Sequence, residues 1–222
     1  MASETSFLGR PVYPVLFILL LSVVFVGILA LMFRSNESRI EAQKREVYEK
    51  TVLSLAADSL ARLSGSTPQA IEAAYPMSYQ EYVEAFKQDS FARPAFAVKY
   101  QGNPVARVFD IKGKGLWGTM RALVATTIDM QTLLGISIYE QTETPGLGGR
   151  IEEEWFTSQF RHKRVLTPAG PVTLELVPEG QAELGSTQVR QITGATITSK
   201  AVTDMIKAEL AEVAGMVAKE KQ

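Results

Sequence analysis

The sequence predicts an α+β protein: a single N-terminal transmembrane helix, then a domain with a mainly antiparallel sheet flanked by helices. Three observations carry that expectation. Val12 to Phe33 contains no charged residue, apolar residues recur at the two-residue spacing of strands after Ala95, and helical spacing returns from Ser199 onward. The 222 residues suffice for one domain of ordinary size plus an appendage.

Composition excludes several classes of function. With 46% hydrophobic and 21% charged residues the chain can build a core, so it is not a disordered tail. A formal charge of -1 lacks the basic excess of a polyanion binder, so nucleic acid is not an expected partner. The absence of cysteine excludes disulfides, Cys-ligated zinc and Cys-ligated iron–sulfur clusters within the chain. The single histidine, His162, leaves no material for a His-rich metal site, and any Ser-His-Asp triad would have to use it. A membrane-anchored hydrolase is therefore poorly supported, and neither a metal site nor a catalytic residue is expected.

The chain divides, on this reading, into a short tail (1–11), a transmembrane helix (12–33), a helical stalk (34–66) and a folded domain (67–222). The 22 uncharged residues of the second segment make a helix of about 33 Å, the thickness of a bilayer's hydrocarbon core. Arg10 and Arg34 bracket it and Tyr13 stands at an interfacial position. A cleaved signal peptide is the weaker alternative, since the run exceeds a typical h-region and no small-x-small site follows Ala30. Arg34, Arg39, Lys44 and Arg45 follow the span, and the positive-inside bias taken alone would put the domain in the cytoplasm.

In the stalk, Ile40, Val47, Val52, Leu55 and Leu60 form a sparse apolar stripe, which predicts light packing on the domain. Gly65-Ser66-Thr67-Pro68 breaks it. Short helices are expected over 68–75 and 79–88. A hairpin is expected over 95–100 and 105–111 about Gly102-Asn103, then strands over 116–126 and 133–140. A short helix is expected over 155–160, a strand over 172–177, and a final helix from Ser199, with Thr198 or Ser199 as its N-cap. His162, among Arg161, Lys163 and Arg164, reads as a solvated stretch, and Trp155 and Phe156 read as core.

Two segments stand out chemically. Glu143-Thr144-Pro145-Gly146-Leu147-Gly148-Gly149 is a sharply turning loop directly after a strand, and its glycines let backbone amides approach a ligand. Gln191-Ile192-Thr193-Gly194-Ala195-Thr196-Ile197-Thr198-Ser199 places four hydroxyl residues around a Gly-Ala pair before the last helix. Free amides at a helix start favour a phosphate near Thr196. On composition alone, an ordinary glycine turn and a capping run explain both. No histidine or carboxylate adjoins Thr196 in sequence, so self-catalysed chemistry lacks a base.

Taken together, these segments resemble a known family. Thr193-Gly194-Ala195-Thr196 is similar to the (S/T)GAT flavinylation motif of FMN-binding domains, found in NqrC of the sodium-translocating NADH:quinone reductase and in RnfG of the Rnf complex. ETPGLGG at 143–149 resembles a second motif of that family. Gly115-Leu116-Trp117-Gly118-Thr119-Met120 resembles a third. The resemblance implies an FMN-binding domain with covalent FMN, joined by a phosphoester to Thr196 by a separate flavin transferase using FAD. It implies that the flavin ring lies against Thr144, Leu147 and Trp117, with Thr119, Glu143, Gly146, Gly148, Thr193, Gly194 and Ala195 shaping the site. The implied function is electron relay within a redox-driven, ion-translocating complex. Its partners would be other membrane subunits, in the inner membrane, with the domain on the extracytoplasmic side. The continuation TITSKAV leans towards the RnfG type and GLWGTM towards the NqrC type, and the Rnf-type reading is slightly favoured. One departure is Arg190, where the family usually has an aspartate. It supports the alternative of an anchored module without covalent flavin, serving assembly or sensing.

Overall fold

The computed structural model describes residues 12–85, 94–167, 170–172 and 174–220. The chain forms two compact units, Met1–Val47 and Tyr48–Gln222. In the first, α1 (Val12–Ser64, a helix that runs on into the second unit) begins with the uncharged run, which is long and apolar enough to cross a membrane and has no side chain buried. Ile40 and Val47 are also exposed.

The second unit is built on a five-stranded antiparallel sheet in the order β1 (Val83–Ala85), β2 (Ala95–Tyr100), β3 (Asn103–Lys114), β4 (Thr119–Thr126) and β5 (Leu133–Glu140). Alternate residues serve opposite faces. Phe109, Ile111, Ala122 and Val124 meet Val202, Met205, Ile206 and Leu210 of α5 (Thr196–Glu220) on one side. Val108, Leu123 and Ala125 meet Val52, Leu53, Ala56 and Leu60 of α1 on the other. With both faces covered, β3 and β4 read as nearly continuous apolar runs. Residues 48–64 of α1 thus supply fully buried core, beyond the light packing expected of a stalk. The expected stripe included Val52 and Leu60 but missed Leu53, Ala56, Ala57 and Ala61, because small and neighbouring residues fill a helix–sheet contact that apolar spacing alone underestimates.

A buried carboxylate fastens this face. Asp110, 3% exposed, accepts hydrogen bonds from Tyr139 Oη at 2.8 Å, Tyr48 Oη at 3.1 Å and Arg121 Nη2 at 2.8 Å. It thereby ties α1 to three strands. Burial first, and then the charge of Asp110 and the hydrogen bond to it, push both tyrosine hydroxyls well above their ordinary range.

Several expected boundaries shift. α2 (Pro68–Ala73) and α3 (Met77–Tyr82) are present, but the chain leaves α3 directly into β1, and 86–88 lie outside the described residues. The 155–160 helix is α4 (Glu154–Thr157) followed by a 3-10 turn, Ser158–Phe160. The expected strand at 116–126 starts only at Thr119, because residues 115–118 form a tight loop in which Gly115 N donates to Gly118 O at 2.7 Å. Two short pairings escaped the period analysis or were misplaced by it: β6 (Leu166–Thr167) with β7 (Gly170–Pro171), and β8 (Glu175–Val177) parallel to β9 (Gln188–Arg190). Segments of two or three residues carry no readable period. Lys163 is also not solvated: it is buried and donates to Gly185 O at 2.8 Å, whereas His162 is exposed.

Candidate functional site

Helix α5 begins at Thr196, not at Ser199. Neither Thr198 nor Ser199 is its cap. Ser199 Oγ instead accepts from Ile192 N at 3.0 Å and donates to Ala195 O at 3.0 Å, so the helix's own first turn braces the tight turn before it. Ala195 N donates to Ile192 O within that turn. Gly194 sits there at φ +79°, with Leu147 Cδ2 only 3.1 Å from where a Cβ would lie. Positive φ and close approach together call for glycine. The outcome is an exposed Thr196 as first residue of a 25-residue helix, where amide donors and the positive end of the helix dipole are presented.

The opposite wall is the loop after β5. Thr144 O accepts from Leu147 N at 3.1 Å and Gly149 N at 3.0 Å, closing the loop on itself. The floor between the walls is Glu143, 5% exposed. Its Oε1 accepts from Trp117 N at 3.0 Å and its Oε2 from Thr198 Oγ1 at 2.6 Å. One carboxylate thus joins the 115–118 loop, the 143–149 loop and the first turn of α5. Gly148 makes this possible, since a Cβ there would stand 2.8 Å from Glu143 Oε2 and 2.9 Å from Thr198 Oγ1.

These parts enclose a cleft of about 430 Å³, within the range of small-molecule sites. Of the residues expected at the site, Trp117, Glu143, Thr144, Leu147, Gly148, Gly194, Ala195 and Thr196 line it. Leu116, Ile197 and Thr198 complete the lining. Three expected residues do not: Thr119 is exposed at the head of β4, paired with Lys114, Gly146 forms the outer turn at φ +75°, and Thr193 turns its backbone outward.

The outward side was not anticipated. Thr193 N donates to Glu179 Oε2 at 2.7 Å, and Arg150 Nη2 donates to Glu179 Oε1 at 3.0 Å. The Thr193 backbone and side-chain hydrogen bonds, then Arg150, hold the Glu179 carboxyl down to about 2. No motif signals Glu179, which lies in an unpatterned loop. Arg190 donates to Gln181 O at 2.5 Å and Ala182 O at 2.7 Å, holding that same loop.

The donor set suits a flat aromatic ring bearing a phosphate. Trp117 (70% exposed), Ile197 (63%), Leu116 (49%) and Leu147 (45%) stand at the mouth uncovered by the fold, as apolar walls awaiting a ligand do. An anion is favoured at the helix start beside Thr196. Among the described residues no cluster could hold a metal ion.

An α+β domain with amide donors at a helix start and an apolar slot beside them has the form of a small-molecule-binding module. Residues 115–211 match the FMN-binding domain family. It is 31% identical over 131 residues to NqrC of the Na(+)-translocating NADH-quinone reductase from Vibrio alginolyticus, covering 59% of this chain and 51% of that protein. It is 39% identical over 103 residues to the NqrC of Vibrio anguillarum, covering 46% of this chain and 40% of that one. The chain thus spans about half, or less, of the length of these curated relatives. A crystal structure of the NqrC from Parabacteroides distasonis shares the fold, with a TM-score of 0.55 at 22% identity over 78% of this chain and 94% of that one.

Proposed function

We propose that the protein is a membrane-anchored flavoprotein subunit that carries FMN covalently on Thr196 and relays electrons within a redox-driven, ion-translocating oxidoreductase. One observation carries this: the exposed Thr196 hydroxyl stands at the start of α5, on the lip of a cleft walled by Trp117 and Leu147. FMN, when bound, supplies reversible electron transfer. The chain's own residues hold and orient it. Trp117 and Leu147 offer faces to the ring, with Thr144 beside them. The small Gly194 and Ala195 leave Thr196 accessible. Glu143 keeps the three walls in register.

Attachment would join Thr196 Oγ to the FMN phosphorus, break the P–O–P link of FAD, release AMP and give up the hydroxyl proton. With no histidine or carboxylate adjoining Thr196 in sequence, this reaction is assigned to a separate flavin transferase. The relatives' names support an NqrC role in an NADH-quinone reductase over the Rnf-type reading that TITSKAV favoured. The partners are then the other membrane subunits of that complex. The domain lies on the extracytoplasmic side of the inner membrane, following the family's layout over the charge bias.

Co-expression with a flavin transferase tests the attachment. Wild type should give a fluorescent flavin band on a denaturing gel, and Thr196→Val should abolish it. A wild type without the band, or a valine variant that keeps it, overturns the reading.

A further inference from the structure

Glu179 connects the two loops that form the cleft's walls. It follows β8, and its half-buried side chain reaches Thr193 N with one oxygen, at 2.7 Å, and Arg150 with the other, at 3.0 Å. Thr193 lies three residues before Thr196, and Arg150 three residues after Leu147. Arg150 is itself seated, its guanidinium 5.0 Å from the centre of the Trp155 ring and bonded to Glu153. The loop that carries Glu179 is fixed in turn. Gln181 N closes it onto Pro178 O at 3.1 Å, and Arg190 grips the carbonyls of Gln181 and Ala182.

The turn from Ile192 to Ala195 is therefore held from two sides, by Ser199 within and by Glu179 without. The inner brace comes from the same helix as Thr196 and moves with it. The outer brace ties the turn itself to Arg150, just after the Leu147 loop, in addition to the Glu143 bond that holds the first turn of α5. Arg150 also offsets part of the charge that Glu179 brings near the turn. Arg190 acts by securing the loop that delivers this carboxylate.

We infer that Glu179, paired with Arg150, is a positioning residue that holds the Thr193 turn so that the Thr196 hydroxyl is presented for flavin transfer. This rests on the reading of Thr196 as the flavin acceptor. It deepens that reading by assigning control of the acceptor's geometry to a residue far from it in sequence. Because the brace shapes the acceptor and does not bind the transferase, its loss should lower the rate at saturating chain and leave the half-saturating concentration nearly unchanged.

The test uses the full chain, purified in detergent without flavin, with FAD and a flavin transferase whose activity is verified on another acceptor protein. The initial rate of fluorescent incorporation is followed against chain concentration. Glu179→Ala should lower the saturating rate about fivefold, since a charge-assisted, half-buried brace is lost. Glu179→Gln keeps an acceptor oxygen for Thr193 N and should recover most of the rate. Glu183→Gln, on the same loop, should match wild type. In the flavin-free chain, hydrogen exchange at the Thr193 amide should rise about fivefold in Glu179→Ala, the range expected for loss of one such bond. Should that variant fail to fold, Arg150→Gln, which like Glu179→Gln leaves the Thr193 arm in place and loses the ion pair, should show the same partial fall in rate. Wild-type rates in the alanine variant, in the arginine variant if it is the one used, or a glutamine variant no better than alanine, overturn the inference while leaving the flavin site intact. A wild type that takes up no flavin overturns the reading of Thr196, and the inference with it.

Discussion

Thr198 Oγ1 donates a 2.6 Å hydrogen bond to Oε2 of Glu143, a residue 55 positions earlier in the chain. The bond pins the first turn of α5 to the loop after β5, and Glu143 Oε1 holds the Trp117 backbone at the same time. Glu143→Ala should destabilise the protein by about 2–3 kcal/mol, because two donors lose a buried acceptor. Glu143→Gln, which keeps one acceptor oxygen, should cost about 1 kcal/mol. Urea denaturation of both variants checks the order, and equal stability of alanine and wild type would show that the carboxylate holds nothing.

Gly148 is needed by that pair. A Cβ at 148 would meet Glu143 Oε2 at 2.8 Å and Thr198 Oγ1 at 2.9 Å. Gly148→Ala should therefore cost about 1–3 kcal/mol through displacement of a tightly packed group. At Gly180 an added Cβ meets nothing within 4 Å, so Gly180→Ala should be close to neutral. A thermal melt of the two variants side by side distinguishes a local clash from a general intolerance of alanine.

Trp117 makes the opposite case. At 70% exposure it contributes little to folding, so Trp117→Ala should change stability by less than about 0.5 kcal/mol. In the flavin-loaded chain the same change should alter the flavin's fluorescence, since an aromatic face is withdrawn from the ring. Unchanged fluorescence would remove Trp117 from the slot.

The tyrosine pair on Asp110 predicts an alkaline weakness. Both hydroxyls ordinarily titrate near 10.0, and burial with the Asp110 charge raises them in the folded protein. A raised folded-state value contributes stability that is complete below the ordinary value and is lost as pH climbs towards the folded one. Stability should accordingly begin to fall once the pH passes about 10, the reference tyrosine value. Tyr48→Phe should flatten part of that fall, and Asp110→Ala should cost about 3 kcal/mol at neutral pH. Denaturation midpoints across pH 8 to 11 are the check, conditions spanning that reference value.

Glu179 supplies the acidic counterpart. Its carboxyl is held down to about 2 by the Thr193 bonds and Arg150, so its contribution is present above the ordinary carboxylate value of 4.5 and drains away as pH falls towards 2. The protection factor of the Thr193 amide, its exchange corrected for the intrinsic pH dependence, should fall over that window in wild type and stay flat in Glu179→Ala. A parallel fall in both would separate the amide's protection from this carboxylate.

What the sequence determined by itself is what depends on local order. An uncharged run of 22 residues makes a span-length helix whatever surrounds it. Alternating and nearly continuous apolar runs from 95 to 140 make strands, and ETPGLGG and TGAT mark where glycine and small residues must lie close to something. The tertiary structure alone decided what those segments meet. It showed that residues 48–64 are core, because a covered second sheet face asks for Leu53 and Ala56, which no regular stripe announces. It moved the start of α5 back to Thr196, because Ser199 turns inward to brace the preceding turn instead of capping a helix behind it. It also brought Glu179 and Arg150 together on the outward side of the Thr193 turn, and with them a reason for Arg190. A hydrogen bond between residues far apart in the chain leaves no periodic trace, since its geometry exists only once the loops have closed.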